Sequence, residues 1–251
     1  MKPAHPKKPF SLSYFSEGPY KGAKISGIKR FLGKYYWARR FYAEIIRRIT
    51  PAGGKILEIG CGFGDLLVFL EPDFRTFGTD VSPEAIQSAK QKLHHTNLRV
   101  LPAEKTLTLL SRPFDTVVAC HVLEHLKNPD TVLGIIAKSI KPGGSLFVVM
   151  PDPEGVGHRL KGARWVGYRD KTHISLYPGS RWVKLIEKHG FQVKRVFSDG
   201  FWDSPYIRYV PAVIQRIIFS IPSIVQIVVG YPILRARFGE SIGIIARKNN
   251  S

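Results

Sequence analysis

Lys55 to Asp65 reads KILEIGCGFGD, and this short stretch decides the fold. KILEIG is an apolar run of strand length ending on glycine, the pattern of a strand buried in a parallel sheet. Gly60, Gly62 and Gly64 follow at alternate positions, and DLLVFLE (65–71) then reads as a helix. Alternate glycines let the chain turn tightly and let a ligand approach the main chain. Asp80 closes the next expected strand, FRTFGTD (74–80), twenty residues after Gly60. A carboxylate placed there can accept hydrogen bonds from both ribose hydroxyls of an adenosine cofactor.

Working outward, strand and helix signals keep alternating. SPEAIQSAKQKL opens with a Ser82 cap and Pro83 at the first helical position. NLRVL and PFDTVVAC (113–120) read as strands, Pro129 to Ile140 as a helix stopped by KPGG, and SLFVVM (145–150) as a fifth strand. SRWVKLIEKHG reads as a helix ended by Gly190, with FQVKRVFS and SIGIIARK as closing strands. The sum is an α/β, Rossmann-like doubly wound sheet. Between residues 151 and 179 the pattern loosens into what reads as a long active-site loop. Two cofactors suit the glycine loop. A dinucleotide calls for GxGxxG, which aims a helix N-terminus at the pyrophosphate. Here the order is GxGxG behind Glu58, an acid that repels a pyrophosphate and suits the sulfonium-bearing amino acid of S-adenosylmethionine.

Net charge is +19, and its distribution is uneven. Residues 1–50 hold twelve Lys/Arg against two acids, residues 51–157 ten against twelve, and residues 158–251 sixteen against five. The middle is an ordinary globular core, while the flanks suit an anionic substrate, an anionic membrane surface or, less well, nucleic acid. Solvated lysines that aid solubility explain any single cluster about as well. Only Cys61 and Cys120 occur, without the spacing of a disulfide or zinc framework, and the basic N-terminus has no apolar run behind it. A cytoplasmic protein, with membrane association open, is expected. Residues 1–50 form a basic cap segment with a helix over 26–50, and residues 51–251 the main domain. Within it, residues 205–235 are an apolar insertion broken by Pro211, Pro222 and Pro232. A lid over a greasy substrate or an interfacial membrane contact suits that insertion better than a span, and two short packed helices suit it equally.

ILEIGCGFGD, GTDVSPEAI, FDTVVACHVLEHL and KSIKPGGSLFVVMPDP together resemble the class I S-adenosylmethionine-dependent methyltransferases, over about residues 50–200. The branch containing ubiquinone-biosynthesis O-methyltransferases is the most similar. The resemblance implies seven strands with the last antiparallel. It implies that Glu58, Gly60, Cys61, Gly62 and Gly64 hold the methionine part, Asp80 the ribose, and that Val81 packs on adenine. Where the family often has Asp–Ala after the third strand, this chain has Pro102, Ala103 and Glu104, so Glu104 or a main-chain group serves the adenine. Cys120 and His121 line the reactive methyl, and YFSEGPY (14–20) resembles a segment folding over the cofactor, with Tyr14 and Tyr20 as contacts.

HVLEH (121–125) admits three readings. On a helix, His121, Glu124 and His125 would share one face. A protease-type zinc site is excluded by the surrounding methyltransferase motifs; bracing of loops is the second reading. The third follows small-RNA 2′-O-methyltransferases, whose Glu-x-x-Glu-His helix and distant His hold a divalent ion. In this chain His121, Glu124, His125 and His173 would be the ligands, a set suited to Zn²⁺, Fe²⁺ or Mn²⁺ rather than Mg²⁺. His121 is the first candidate for base or ligand and His173 the second. Trp165, Tyr168 and Arg169 are candidate substrate contacts, with loop packing the plainer role. The expected function is O-methylation of a small or lipid-like substrate. The alternatives are a metal-assisted RNA methyltransferase and a non-catalytic cofactor-binding module at a membrane.

Overall fold

The computed structural model describes Phe10, residues 34–105 and residues 113–250. Tyr14 and Tyr20 fall outside the described residues. The strands are β1 Lys55–Ile59, β2 Arg75–Asp80, β3 Asn97–Val100, β4 Phe114–Cys120, β5 Ile140–Pro151, β6 Phe191–Ser198 and β7 Ser241–Lys248. They form one sheet in the order β3-β2-β1-β4-β5-β7-β6. β1 to β5 pair in parallel, and β7 runs antiparallel between β5 and β6, as expected of this fold. The order reverses between β1 and β4, and the C-terminal strand ends beside such a reversal are where ligands bind.

Eight α-helices lie among the described residues. They are α1 Lys34–Ile49, α2 Leu67–Leu70, α3 Pro83–Lys90, α4 Pro129–Ser139, α5 Val156–Lys161, α6 Val166–Arg169, α7 Gly179–Lys188 and α8 Ala212–Val229. α3 starts where its sequence says: Ser82 Oγ accepts from Ala85 N at 3.2 Å and Pro83 takes the first helical position. Asn128 caps α4 in the same way, accepting from Thr131 N.

Alternation along the strands sorts two cores onto the two faces. Val117 and Ala119 of β4, with Leu146, Val148 and Met150 of β5, meet α4 and α7 through Val132, Ile136, Trp182 and Ile186. Val118 and Cys120, with Phe147 and Val149, meet Phe41, Tyr42, Ile45 and Ile46 of α1. Each buried Val, Leu, Ile, Phe or Met among them contributes about 1.5–3 kcal/mol relative to exposure. α1, assigned by sequence to a separate cap, is therefore part of the sheet's own core.

Three further expectations are corrected. The supposed loop after β5 folds into α5, α6 and a 3₁₀ turn over Gly162–Arg164, and KPGG lies inside β5. Trp165 is fully buried there between the rings of His158 and Tyr168, in line with the plainer reading of it as a packing residue, while Tyr168 and Arg169 are exposed. Pro222 does not break the apolar insertion, which forms the single helix α8 with Pro222 inside it.

Candidate active site

The glycine loop joins β1 to the helical turn before β2. Gly60 has φ +68°, and a Cβ there would lie 2.3 Å from Val122 Cγ2, so both conformation and space demand glycine. Gly62 has φ +51°, yet a Cβ there would meet nothing within 4 Å; its main chain faces open space, as a ligand cradle requires. Gly62 N donates to Asp80 Oδ2 at 2.8 Å, and Ser82 N donates to Asp80 Oδ1 at 2.8 Å. The Asp80 carboxylate thus ties the loop to the start of α3, and each oxygen retains acceptor capacity for a hydroxyl. Burial raises its pKa, and the Ser82 and Gly62 amides pull it back. Val81 beside it is half-exposed and offers an apolar surface to an adenine ring.

Glu58 lies on the α1 face of β1, buried, with Oε2 lacking any hydrogen-bond partner. An orphaned buried carboxylate beside an open glycine loop fits the ammonium end of S-adenosylmethionine. Other expected contacts are narrower than the sequence implied. The Cys61 side chain packs in a core with Leu67, Ile86 and Leu98, leaving only its main chain to the loop. Ala103 is a core residue, Glu104 is exposed, and the buried Cys120 side chain joins the α1-side core.

Burial pushes Glu58 up to about 8, against a downward pull from Arg39. Below that pH the carboxyl is protonated and offers no charge to an ammonium; above it the ionised form does. Binding of S-adenosylhomocysteine is therefore expected to tighten with pH, by up to about tenfold per unit, between about pH 6 and about pH 7.5. Calorimetry across that range checks this, and Glu58→Gln should flatten the profile. A flat wild-type profile would remove Glu58 from the cofactor site.

Past β4 the chain does not form the expected α-helix. His121 takes a left-handed φ of +57°, and Leu123–His125 form a single 3₁₀ turn. With three residues per turn, positions i and i+3 eclipse while i+4 swings about a third of a turn away. His121, left-handed and ahead of that turn, brings its Nδ1 to 3.3 Å from Glu124 Oε1. The structure groups three of the four sequence-derived ligands: ligand atoms of Glu124, His125 and His173 lie within 4.8 Å of one another, and His121 is not in that group. Glu124 is fully buried with neither carboxylate oxygen hydrogen-bonded, and burial raises its pKa. His125 Nδ1 meets Thr172 Oγ1 at 2.9 Å, and His173 Nδ1 donates to Gly167 O at 2.9 Å, an arrangement that orients both Nε2 atoms. Ile174 N and Ser175 N both donate to Glu124 O, stitching the distant segment to the turn.

Three groups the sequence did not single out complete the centre. Tyr42 on α1 donates its hydroxyl to Asp199 Oδ2 at 2.6 Å, and Asp199, just past β6, is buried. Arg39, one residue-row away on α1, acts electrostatically on Glu58, Cys120 and His121. His121 keeps a quarter of its side chain exposed, yet burial of the ring, with Arg39, lowers its pKa to about 4 against an upward pull from Asp199. A signal for Asp199 existed: in FSDG an acid follows directly on an apolar strand, much as Asp80 closes β2.

A glycine loop, a buried carboxylate closing β2 and a polar centre at the strand ends of this seven-stranded sheet are the marks of the class I S-adenosylmethionine-dependent methyltransferase fold. The chain belongs to the methyltransferase domain family, whose model matches residues 35–196. Among curated proteins it is similar to the ubiquinone biosynthesis O-methyltransferase of Xylella fastidiosa (strain 9a5c), 32% identical over 111 residues covering 41% of this chain and 44% of the relative. The enzyme of the same name from Stutzerimonas stutzeri (strain A1501) is 28% identical over 49% of this chain and 56% of its own. The chain thus spans about half the length of these relatives. Among solved structures it is similar to an S-adenosylmethionine-dependent methyltransferase from Archaeoglobus fulgidus, with TM-score 0.57, 21% identity and coverage of 84% and 94% of the two chains. The plantazolicin methyltransferase BamL, solved with S-adenosylhomocysteine, gives TM-score 0.59 at 18% identity, covering 98% and 92%.

Proposed function

We propose that the chain transfers a methyl group from S-adenosylmethionine to a hydroxyl of a small, lipid-like acceptor. The observation that carries this is the polar centre of His121, Glu124, Tyr42 and Asp199 beside the Glu58–Asp80 cradle. S-adenosylmethionine, when bound, supplies an electrophilic methyl on a sulfonium. The protein must position the acceptor oxygen in line and take up its proton. His121 is neutral at neutral pH, so its ring can accept that proton on Nε2 while Nδ1 faces Glu124. The imidazolium that forms is stabilised by the Glu124 and Asp199 carboxyl groups. Tyr42, buried, holds Asp199 in place, and Arg39 gives an acidic or phenolic acceptor a charged partner. The similarity to ubiquinone biosynthesis O-methyltransferases supports a lipid-like acceptor, and the basic 158–251 segment supports an anionic one.

The Glu124–His125–His173 group favours a second, metal-assisted reading. Its buried, hydrogen-bond-free carboxylate and two oriented imidazoles fit a borderline ion such as Zn²⁺ or Fe²⁺, which would acidify the acceptor hydroxyl. One assay sorts both: transfer of labelled methyl from S-adenosylmethionine into an organic-phase lipid extract, with and without chelator. The label should enter the organic phase. Transfer unchanged by chelation assigns proton removal to His121, and transfer lost on chelation and restored by the ion assigns it to the metal. Label appearing in RNA and not in lipid would overturn the acceptor class.

A further inference from the structure

α8 is built inside out. Its buried positions are polar: Gln215, Ser223 and Gln226. Its exposed positions are apolar, among them Val213, Ile217, Ile218, Ile221, Ile224 and Val228, each at least half exposed. The polar side is fully engaged with the body of the protein. Gln215 Oε1 accepts from Tyr206 N and Ile207 N, and its Nε2 donates to Ile207 O and Val210 O, all at 2.6–2.8 Å. Ser223 Oγ donates to Asp199 O, Gln226 Nε2 donates to Ser198 O, and Leu234 N donates to Gln226 Oε1. These bonds fix the helix's rotation, so the aliphatic face cannot roll inward.

Charge and aromatic placement identify what covers that face. Between Asp203 and Glu240 the chain has no acid and four arginines, Arg208, Arg216, Arg235 and Arg237. Arg208, Arg216 and Arg235 are exposed, and Arg237 pairs with Glu154. Tyr209 and Tyr231, both exposed, stand just before and just after the helix, where amphipathic rings settle at a membrane–water boundary. The helix is about 27 Å long, short of the roughly 30 Å hydrocarbon core, and its other side is bonded along its length to the fold. It can lie on a bilayer but cannot leave the protein to cross one.

We propose that α8 is a docking surface for an anionic lipid bilayer. Its isoleucine face enters the boundary between headgroups and acyl chains, and the arginines meet lipid phosphates. Docking would set the active site beside the lipid, because Asp199 accepts from Ser223 of α8 through its carbonyl and from Tyr42 through its carboxylate. The docking itself does not depend on which reaction the site performs.

Flotation of the full chain with vesicles of phosphatidylcholine, with and without phosphatidylglycerol, tests it. The protein should float with the anionic vesicles, far less with the neutral ones, and be released by alkaline carbonate. Ile217→Glu with Ile221→Glu, both at exposed positions, should cut partitioning about tenfold or more while S-adenosylhomocysteine binding is unchanged. Three results overturn the proposal: no flotation, flotation untouched by the double variant or by lipid charge, or resistance to carbonate. A fourth is a wild-type dimer in light scattering that the double variant dissociates without any vesicle binding, which would make the face a self-interface.

Discussion

Asp80→Ala is expected to weaken S-adenosylhomocysteine binding by about 100-fold, since hydrogen bonds to a charged group contribute about 1.5–3 kcal/mol each. The loss has two parts. One is direct, the removal of an acceptor for the ribose hydroxyls. The other acts through the loop, because the same carboxylate accepts from Gly62 N and Ser82 N and so holds the cradle against the start of α3. Asp80→Asn separates them. The amide keeps one oxygen for the loop but loses charge and one acceptor, so its affinity should fall between wild type and alanine. Titration calorimetry measures both variants, and circular dichroism confirms that they fold. An alanine variant binding within a few-fold of wild type would remove Asp80 from the ribose site.

His121→Asn is expected to lower kcat by about 10²–10⁴-fold, the usual contribution of a general base, with cofactor affinity within a few-fold of wild type. Asparagine is the right replacement, because His121 sits at φ +57°, where asparagine is tolerated and alanine is strained. It cannot take up a proton, so a fall in kcat with unchanged binding isolates the proton-transfer role. Equal turnover would leave proton removal to another group or to the metal-assisted reading. A joint loss of turnover and binding would make His121 a wall of the cofactor site and not a base.

Much of the fold was written locally. The KILEIG strand, its glycines, the Ser82–Pro83 helix start and the acid after β2 each follow from residue chemistry over a few positions, and the structure has them where the spacing puts them. What was hidden depends on distance or on competing local geometry. Tyr42 and Asp199 are 157 positions apart and meet only because α1 packs under the sheet and β6 ends there. A buried phenol needs a partner, but neither the burial of Tyr42 nor the identity of its partner is legible before α1 is placed on the sheet. His121, Glu124 and His125 have helical spacing, but a left-handed residue and a 3₁₀ turn override it, parting His121 from His125. Pro222 suggested a break, yet the glutamines and serine bonding α8 to the body hold one continuous helix around it. The glycine-rich segment around Trp165 reads locally as an open loop, and hydrophobic burial of that ring folds it into short helices.

In the proposed complex, S-adenosylmethionine lies between Glu58 and Asp80 with its methyl directed at His121. A crystal structure with S-adenosylhomocysteine tests it most directly. Both ribose hydroxyls should lie within about 2.7–3.2 Å of Asp80 oxygens, the ammonium beside Glu58, and the sulfur facing the His121–Asp199 centre. A ligand seated elsewhere, or seated here with its sulfur turned away from His121, would contradict it.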